Sequence, residues 1–278
     1  MTVHVHEKPL SKDHFVEKLS PVLEVYHLTV KYQQQTGCEN VNFAAYPAER
    51  IAVIGPNGAG KSSLFKAIVG LHPIYSGQIN VVGTPVRKAS KLISYVPQHE
   101  SVDWNFPVSI WDTVMMVRTR LIGPFLPPRQ QDKQAVKAAL KQVDLWDLRH
   151  RQIGDLSGGQ RRRIFIARAL AQEARLVLMD EPFVGVDVKV ETEIFDVLDI
   201  LRRGDITVLI ATHNLAQAAN HFDKVLMLNR QQIVFGEPVE VFTQDNLART
   251  FGGTLRMWEE DGGLVMISDD PCHEDHHH

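Results

Sequence analysis

Gly55-Pro56-Asn57-Gly58-Ala59-Gly60-Lys61-Ser62 stands directly after the apolar run 51–54 and directly before the helical pattern 63–69, and no other stretch limits the fold as tightly. It satisfies the GxxxxGK[ST] pattern, and the strand before it and helix after it are the context that pattern requires. A backbone curled around phosphate turns successive N–H groups inward, which calls for positive φ and leaves no room for a Cβ, the need Gly58 and Gly60 fill. The helix starting there adds its positive dipole end, Lys61 can reach the β- and γ-phosphates, and the Ser62 hydroxyl can ligate magnesium. Gly55, Pro56, Asn57, Ala59 and Ser63 complete the cradle.

The rest of the chain agrees with an α/β fold. Short β-branched apolar runs at 51–54, 92–96, 176–179, 207–211 and 224–228 alternate with helical patterns, which predicts a largely parallel sheet. From about 99 to 170 the pattern changes, with Trp104, Pro107, Trp111 and Pro127-Pro128 followed by a helical stretch at 132–143, and an inserted helical lobe is expected there. Residues 1–22 are polar and aperiodic and 254–278 end in an acidic, histidine-rich string, so loosely held ends are expected around a functional core at 23–253. No internal repeat occurs, so the chain holds one nucleotide module. The 44% hydrophobic content of the 278 residues suffices for a full core. A formal charge of -3 gives no large basic field, and no nucleic-acid partner is expected. No run reaches the roughly 18 to 20 apolar residues that cross a bilayer, and the first residues are too broken by charge to form a signal core. Cys38 and Cys272 lie far apart without CxxC spacing, which fits a reduced cytosolic setting.

Two further strand ends carry chemistry. The run 176–179 leads into Asp180 and Glu181, so two carboxylates arrive where a strand leaves the sheet, the end at which open α/β sheets bind ligands. Asp180 is expected to hold magnesium and Glu181 to polarise the attacking water as general base. The run 207–211 ends in Thr212-His213-Asn214. A lone histidine after a strand is more often structural than catalytic, and only its company on this rim suggests contact with the γ-phosphate.

Leu156-Ser157-Gly158-Gly159-Gln160, between the two phosphate motifs, resembles the signature sequence of ATP-binding-cassette (ABC) proteins. Physically, Ser157 is a good N-cap ahead of Ile164, Ile166, Ala167 and Leu170, and aims a hydroxyl and glycine N–H groups at an anion. The remaining family pattern follows in order over about 23–253: Tyr32 matches the aromatic that stacks on adenine, Gln98 in Tyr95-Val96-Pro97-Gln98 the Q-loop, which also serves the metal ion and catalysis, and Asp187 the D-loop. Singly, Tyr32 reads equally as a strand aromatic and Gln98 as a surface amide. The D-loop Phe183-Val184-Gly185-Val186-Asp187 departs from the usual Ser-Ala-Leu-Asp form, which leaves the contacts of its other residues open. Arg161-Arg162-Arg163 reads as a solvated helix face.

The resemblance implies a P-loop NTPase of ABC type: a mostly parallel core sheet, an antiparallel β portion and an inserted helical subdomain. It implies ATP and Mg2+ as ligands, and a second copy of the chain whose Ser157, Gly158, Gly159 and Gln160 close over the nucleotide. It also implies an integral membrane permease, and peripheral attachment at the cytoplasmic face of the plasma (inner) membrane. The segments 102–108 and 180–187 resemble those of bacterial manganese, zinc and iron uptake cassettes, with manganese favoured, and imply an extracytoplasmic metal-binding protein acting through the permease. The alternatives are an ABC protein of cofactor assembly, repair or translation with no membrane partner, and a motor for another cargo. The end Cys272-His273-Glu274-Asp275-His276-His277-His278 reads as a solvated tail or an appended remnant that also has the groups to bind a divalent ion.

Overall fold

The computed structural model describes residues 20–32, 35–97, 104, 106–123, 126–186, 188–252, 255–260 and 263–268. Strands β1 (Leu23–Tyr32) and β2 (Gln35–Ala45) pair antiparallel and lead to β3 (Arg50–Ile54) and helix α1 (Lys61–Ile68). β4 (Ser76–Val81), β5 (Thr84–Pro85) and a short helix α2 (Val86–Ala89) precede β6 (Ile93–Val96). Helices α3 (Ile110–Ile122), α4 (Gln130–Gln142) and α5 (Gly158–Ala171) follow, then β7 (Leu176–Asp180), α6 (Val188–Arg203), β8 (Thr207–Thr212) and α7 (Leu215–His221). β9 (Lys224–Asn229), β10 (Gln231–Gly236), α8 (Pro238–Val241), α9 (Gln244–Phe251) and the hairpin β11 (Leu255–Glu260) to β12 (Gly263–Ser268) close the described chain. That hairpin lies in the stretch expected to be loosely held: six paired residues per strand give it backbone bonds that its polar flanks do not advertise.

The main sheet has ten strands in the order β5-β4-β1-β2-β10-β9-β3-β8-β7-β6, antiparallel from β5 to β2, while β9, β3, β8, β7 and β6 run parallel. Parallel strands are covered on both faces, so they read as unbroken apolar runs, but their alternate residues serve different cores. Ala52, Ile54, Val177, Met179, Val208 and Ile210 join one core with the helices α3 to α9, whereas Ile51, Val53, Leu176, Leu178, Leu209 and Ala211 join the other with α1 and the antiparallel strands. The phosphate-loop strand thus has apolar anchorage above and below, which fixes its last residue in the plane of the sheet.

The expected helical lobe is α3 and α4 resting on α5. Ser109 caps α3 by accepting from the Asp112 N–H at 3.1 Å. Inside the lobe the guanidinium of Arg118 donates to Asp132 Oδ1 at 2.9 Å and to the Ala171 carbonyl at 2.9 Å, which joins α3, α4 and the end of α5. Asp132 is buried at 1% exposure, so this ion pair is sealed in the lobe. The basic run after the signature is not a solvated face. Arg161 stacks over Trp104, 4.9 Å from the ring centroid, and donates to the Gly154 carbonyl, while Arg163 donates to the Val143 carbonyl. All three arginines are half-buried: Arg161 and Arg163 have local carbonyls for their heads, and Arg162 borders a pocket with Val96, Phe165 and Ile166. No described helix is long and apolar enough to cross a membrane.

Candidate active site

Strand order determines which motifs meet. β8 lies between β3 and β7, with Ile54 opposite Thr212 and Asp180 opposite Ala211, so the phosphate loop, His213 and Glu181 leave three neighbouring strands at one edge. The loop closes on itself through Ala59 N–H to Pro56 O at 3.1 Å and starts α1 through Leu64 N–H to Gly60 O at 2.9 Å. Gly60 has φ 100°, and a Cβ there would sit 2.1 Å from the Gly37 carbonyl oxygen of β2, so only glycine fits. Gly58 has φ 79° but open space around it, and its requirement is conformational alone.

A cleft of about 930 Å³ opens above the loop, lined by Asn57, Gly58, Ala59, Gly60, Lys61, Ser62, Ser63 and Glu181, together with Gln35, Thr36 and Gly37 of β2 and Arg230 of the β9–β10 turn. Lys61 is 5% exposed; its Nζ donates to the Gly55 carbonyl at 2.8 Å and the Pro56 carbonyl at 3.2 Å, and lies 3.7 Å from Glu181 Oε1. Burial pushes its pKa below the ordinary lysine value, against the opposing pull of Glu181 and Asp180. Gly55 and Pro56 therefore act on the cleft through the carbonyls that orient this ammonium.

At the end of β7, Asp180 is 7% exposed, and the partner recorded for its carboxylate is the Tyr95 hydroxyl at 3.4 Å. Glu181 takes φ 51°, a left-handed conformation uncommon for a residue with a side chain, held by its N–H bond to the Ala211 carbonyl at 3.0 Å. Glu181 lines the cleft, while Asp180, which is outside its lining, borders an adjoining pocket together with Glu181 and is close enough to act on the Lys61 ammonium. His213 follows β8 on the same edge and is exposed, outside the cleft lining.

Ser157 caps α5 as expected, in a full capping box: its hydroxyl oxygen accepts from Gln160 N–H at 3.3 Å, and Gln160 Oε1 accepts from Ser157 N–H at 3.1 Å. The hydroxyl proton and the first-turn N–H groups of Gly158 and Gly159 remain available as donors. None of Ser157, Gly158, Gly159 and Gln160 lines the cleft formed by their own chain, and Ser157 and Gly158 are exposed. Tyr32 ends β1, with only its backbone described; Gln98, Asp187 and the tail from Cys272 lie outside the described residues, as do Val102, Asp103 and Asn105 of the segment 102–108.

Sequence reasoning did not single out Gln35, Thr36, Gly37, Tyr95 or Arg230 as site residues. Gly37 had a signal, because an isolated glycine inside a strand marks a close backbone approach, here against Gly60. Arg230 had none; its place depends on a hairpin turn meeting a loop some 170 residues earlier, where its N–H donates to the Ala59 carbonyl at 2.8 Å.

A family model described as "ABC transporter" matches residues 38–184, a span that includes the phosphate loop, the signature and both carboxylates. The chain is 43% identical over 250 residues to the manganese transport system ATP-binding protein MntB of Halalkalibacterium halodurans, covering 90% of this chain and 100% of that protein. To the zinc transport system ATP-binding protein TroB of Treponema pallidum it is 41% identical, over 84% of this chain and 88% of the other. Among solved structures, an inward-facing one described as a metal-chelate type ABC transporter has a TM-score of 0.76 at 31% identity, covering 89% of this chain and 97% of that one.

Proposed function

The chain belongs to the ABC transporter family, and from that premise we propose that it is the ATP-hydrolysing subunit of a metal-ion importer, with manganese the favoured cargo and zinc or iron the next choices. One observation carries the catalytic half of this reading: the phosphate loop, Lys61 and Glu181 share a single cleft at the carboxyl ends of parallel strands. The metal-transport half rests on the relatives and on the likeness of 102–108 and 180–187 to metal-uptake cassettes.

In this reading, residues 23–253 form the nucleotide-binding domain, and its helical subdomain, about 99–170, meets the permease. Backbone N–H groups of the loop after Pro56 and the start of α1 hold the ATP phosphates, Lys61 bridges the terminal ones, and Tyr32 stacks on the base. Asp180 is a buried carboxylate with no cation recorded within ion-pair distance among the described residues, and such a group calls for one. It and the Ser62 hydroxyl fit Mg2+, which when bound would neutralise phosphate charge; Gln98 is the third candidate ligand.

Glu181 orients the attacking water and takes its proton as the new P–O bond forms and the bond to ADP breaks. Lys61 stabilises the charge that develops on the transferred phosphoryl. His213 stands one strand away, where it can hold the γ-phosphate and water in line.

The signature residues Ser157, Gly158, Gly159 and Gln160 serve a second copy of the chain, along with Asp187. None of the four lines the cleft of its own chain, so in this reading one chain supplies only half of each site. Closure and opening of the pair then move the permease through the Gln98-linked lobe, and an extracytoplasmic metal-binding protein delivers cargo from the other side. The subunit itself is peripheral, on the cytoplasmic face of the plasma (inner) membrane.

Co-purification with a polytopic membrane protein, followed by metal-dependent uptake after deletion of the subunit, tests the whole. Active ATPase that recovers no membrane protein assigns the chain to a soluble assembly role, and unchanged metal uptake with loss of another solute reassigns the cargo.

A further inference from the structure

The β9–β10 turn places one more cation on the cleft than the phosphate loop itself supplies. Arg230 is the single residue between Asn229 and Gln231, which pair directly, and it adopts φ 59°. Glycine or asparagine takes that conformation at little cost, whereas arginine does so under strain, and such strain persists where the surroundings over-determine it. Here the surroundings are the loop: the Arg230 N–H donates to the Ala59 carbonyl at 2.8 Å, and a Cβ on Gly55 would meet the Leu228 carbonyl oxygen, two residues before Arg230, at 2.0 Å. The turn is therefore bonded to the loop at Ala59 and its strand packs closely against Gly55, and Arg230 is among the residues that line the cleft.

Charge decides what that side chain is for. The described charged residues lining the cleft are Lys61, Glu181 and Arg230. Lys61 is engaged by two carbonyls and lies within ion-pair distance of Glu181, so their charges largely offset. No ion pair or side-chain hydrogen bond is recorded for Arg230 among the described residues, which makes it the uncommitted cation of the cleft. A guanidinium forms bidentate bonds to phosphate oxygens in the geometry that its fork of donors fixes.

We propose that Arg230 is a nucleotide-binding residue of the same cleft, supplying a guanidinium to the triphosphate from the β9–β10 turn. This rests on the ATP reading above. The experiment measures equilibrium affinity for ATP at low salt, at protein concentrations where the chain is monomeric, for wild type, Arg230→Gln, Arg230→Lys and Arg230→Gly. Wild-type protein that fails to bind ATP refutes the ATP reading itself, whereas wild-type binding with variant differences tests Arg230 alone.

Arg230→Gln is expected to weaken ATP about 3- to 10-fold, with the gap closing near 1 M salt, where screening shortens to about 3 Å. Arg230→Lys should recover part of the loss, because it keeps the charge and loses the fork. Arg230→Gly separates binding from folding: it relieves the left-handed φ, so its Tm should be no lower than wild type while its ATP affinity falls like that of Arg230→Gln. Equal ATP affinity in wild type and Arg230→Gln at low salt overturns the proposal. So does a loss seen only when two copies associate in a Glu181→Gln background, since that would assign the side chain to the copy–copy contact.

Discussion

Replacing Glu181 by Gln should remove hydrolysis and leave ATP binding intact or tighter. A positioned general base contributes about 10²- to 10⁴-fold, or roughly 3 to 5.5 kcal/mol of barrier, so kcat should fall by that factor. For binding, the sign follows from the cleft. Glu181 Oε1 lies 3.7 Å from Lys61 Nζ, so a phosphate oxygen gripped by that ammonium must come close to the carboxylate. At a separation of about 6 Å, two unit negative charges repel by roughly 0.7 kcal/mol in bulk water and about 2.8 kcal/mol at an effective dielectric of 20. The isosteric amide removes that repulsion, and ATP affinity should rise by about 3- to 100-fold. Equilibrium binding of ATP, phosphate release under saturating ATP and size-exclusion chromatography with and without ATP report the three consequences: tighter binding, lost turnover and a nucleotide-dependent dimer. Undiminished turnover would remove Glu181 as the base. A folded variant that no longer binds ATP would refute the electrostatic account, because it would mean that Glu181 holds the site together instead of opposing its ligand.

Lys61→Ala should weaken ATP by about 10- to 100-fold, the scale of one charge-assisted contact of roughly 1.5 to 3 kcal/mol, as titration with a fluorescent nucleotide would show. Gly60→Ala meets the Gly37 carbonyl at 2.1 Å and an unfavourable φ, so calorimetric titration should detect no ATP binding even where circular dichroism reports a folded chain. Arg118→Leu strands Asp132, which is 1% exposed, and should cost roughly 3 kcal/mol in denaturant unfolding, the low end for a buried pair because Glu173 beside it is open to water. Lys61, held below its ordinary 10.5 by burial, gives two pH dependences of opposite sign. Bound phosphate favours the ammonium, so ATP affinity should drop as pH rises through the lowered pKa, and at lower pH still in Glu181→Gln, which loses a carboxylate that raises it. The fold binds fewer protons than the unfolded chain between that pKa and 10.5, so thermal stability from this group should rise with pH across the same window.

What the sequence determined by itself was local chemistry. A phosphate loop is one contiguous segment whose strand, glycines and helix start all lie within a dozen residues. The Ser157 cap is likewise settled by neighbours three residues apart, and the five parallel strands were legible because burial on both faces makes them continuous apolar runs. The tertiary structure decided what depends on chain segments far apart in sequence. It set the order in which β8 separates β3 from β7, and so which strand ends meet at the cleft. The left-handed backbone of Glu181, at the point where β7 enters the cleft, was hidden, because a non-glycine positive φ leaves no compositional mark. The arginines after the signature looked solvated, since a charge run carries no sign of the Trp104 ring or the Gly154 carbonyl that folding brings beside it. Arg230 reaches the phosphate loop only because a hairpin turn and a loop some 170 residues earlier share one hydrogen bond, and no local pattern encodes a contact made across that separation.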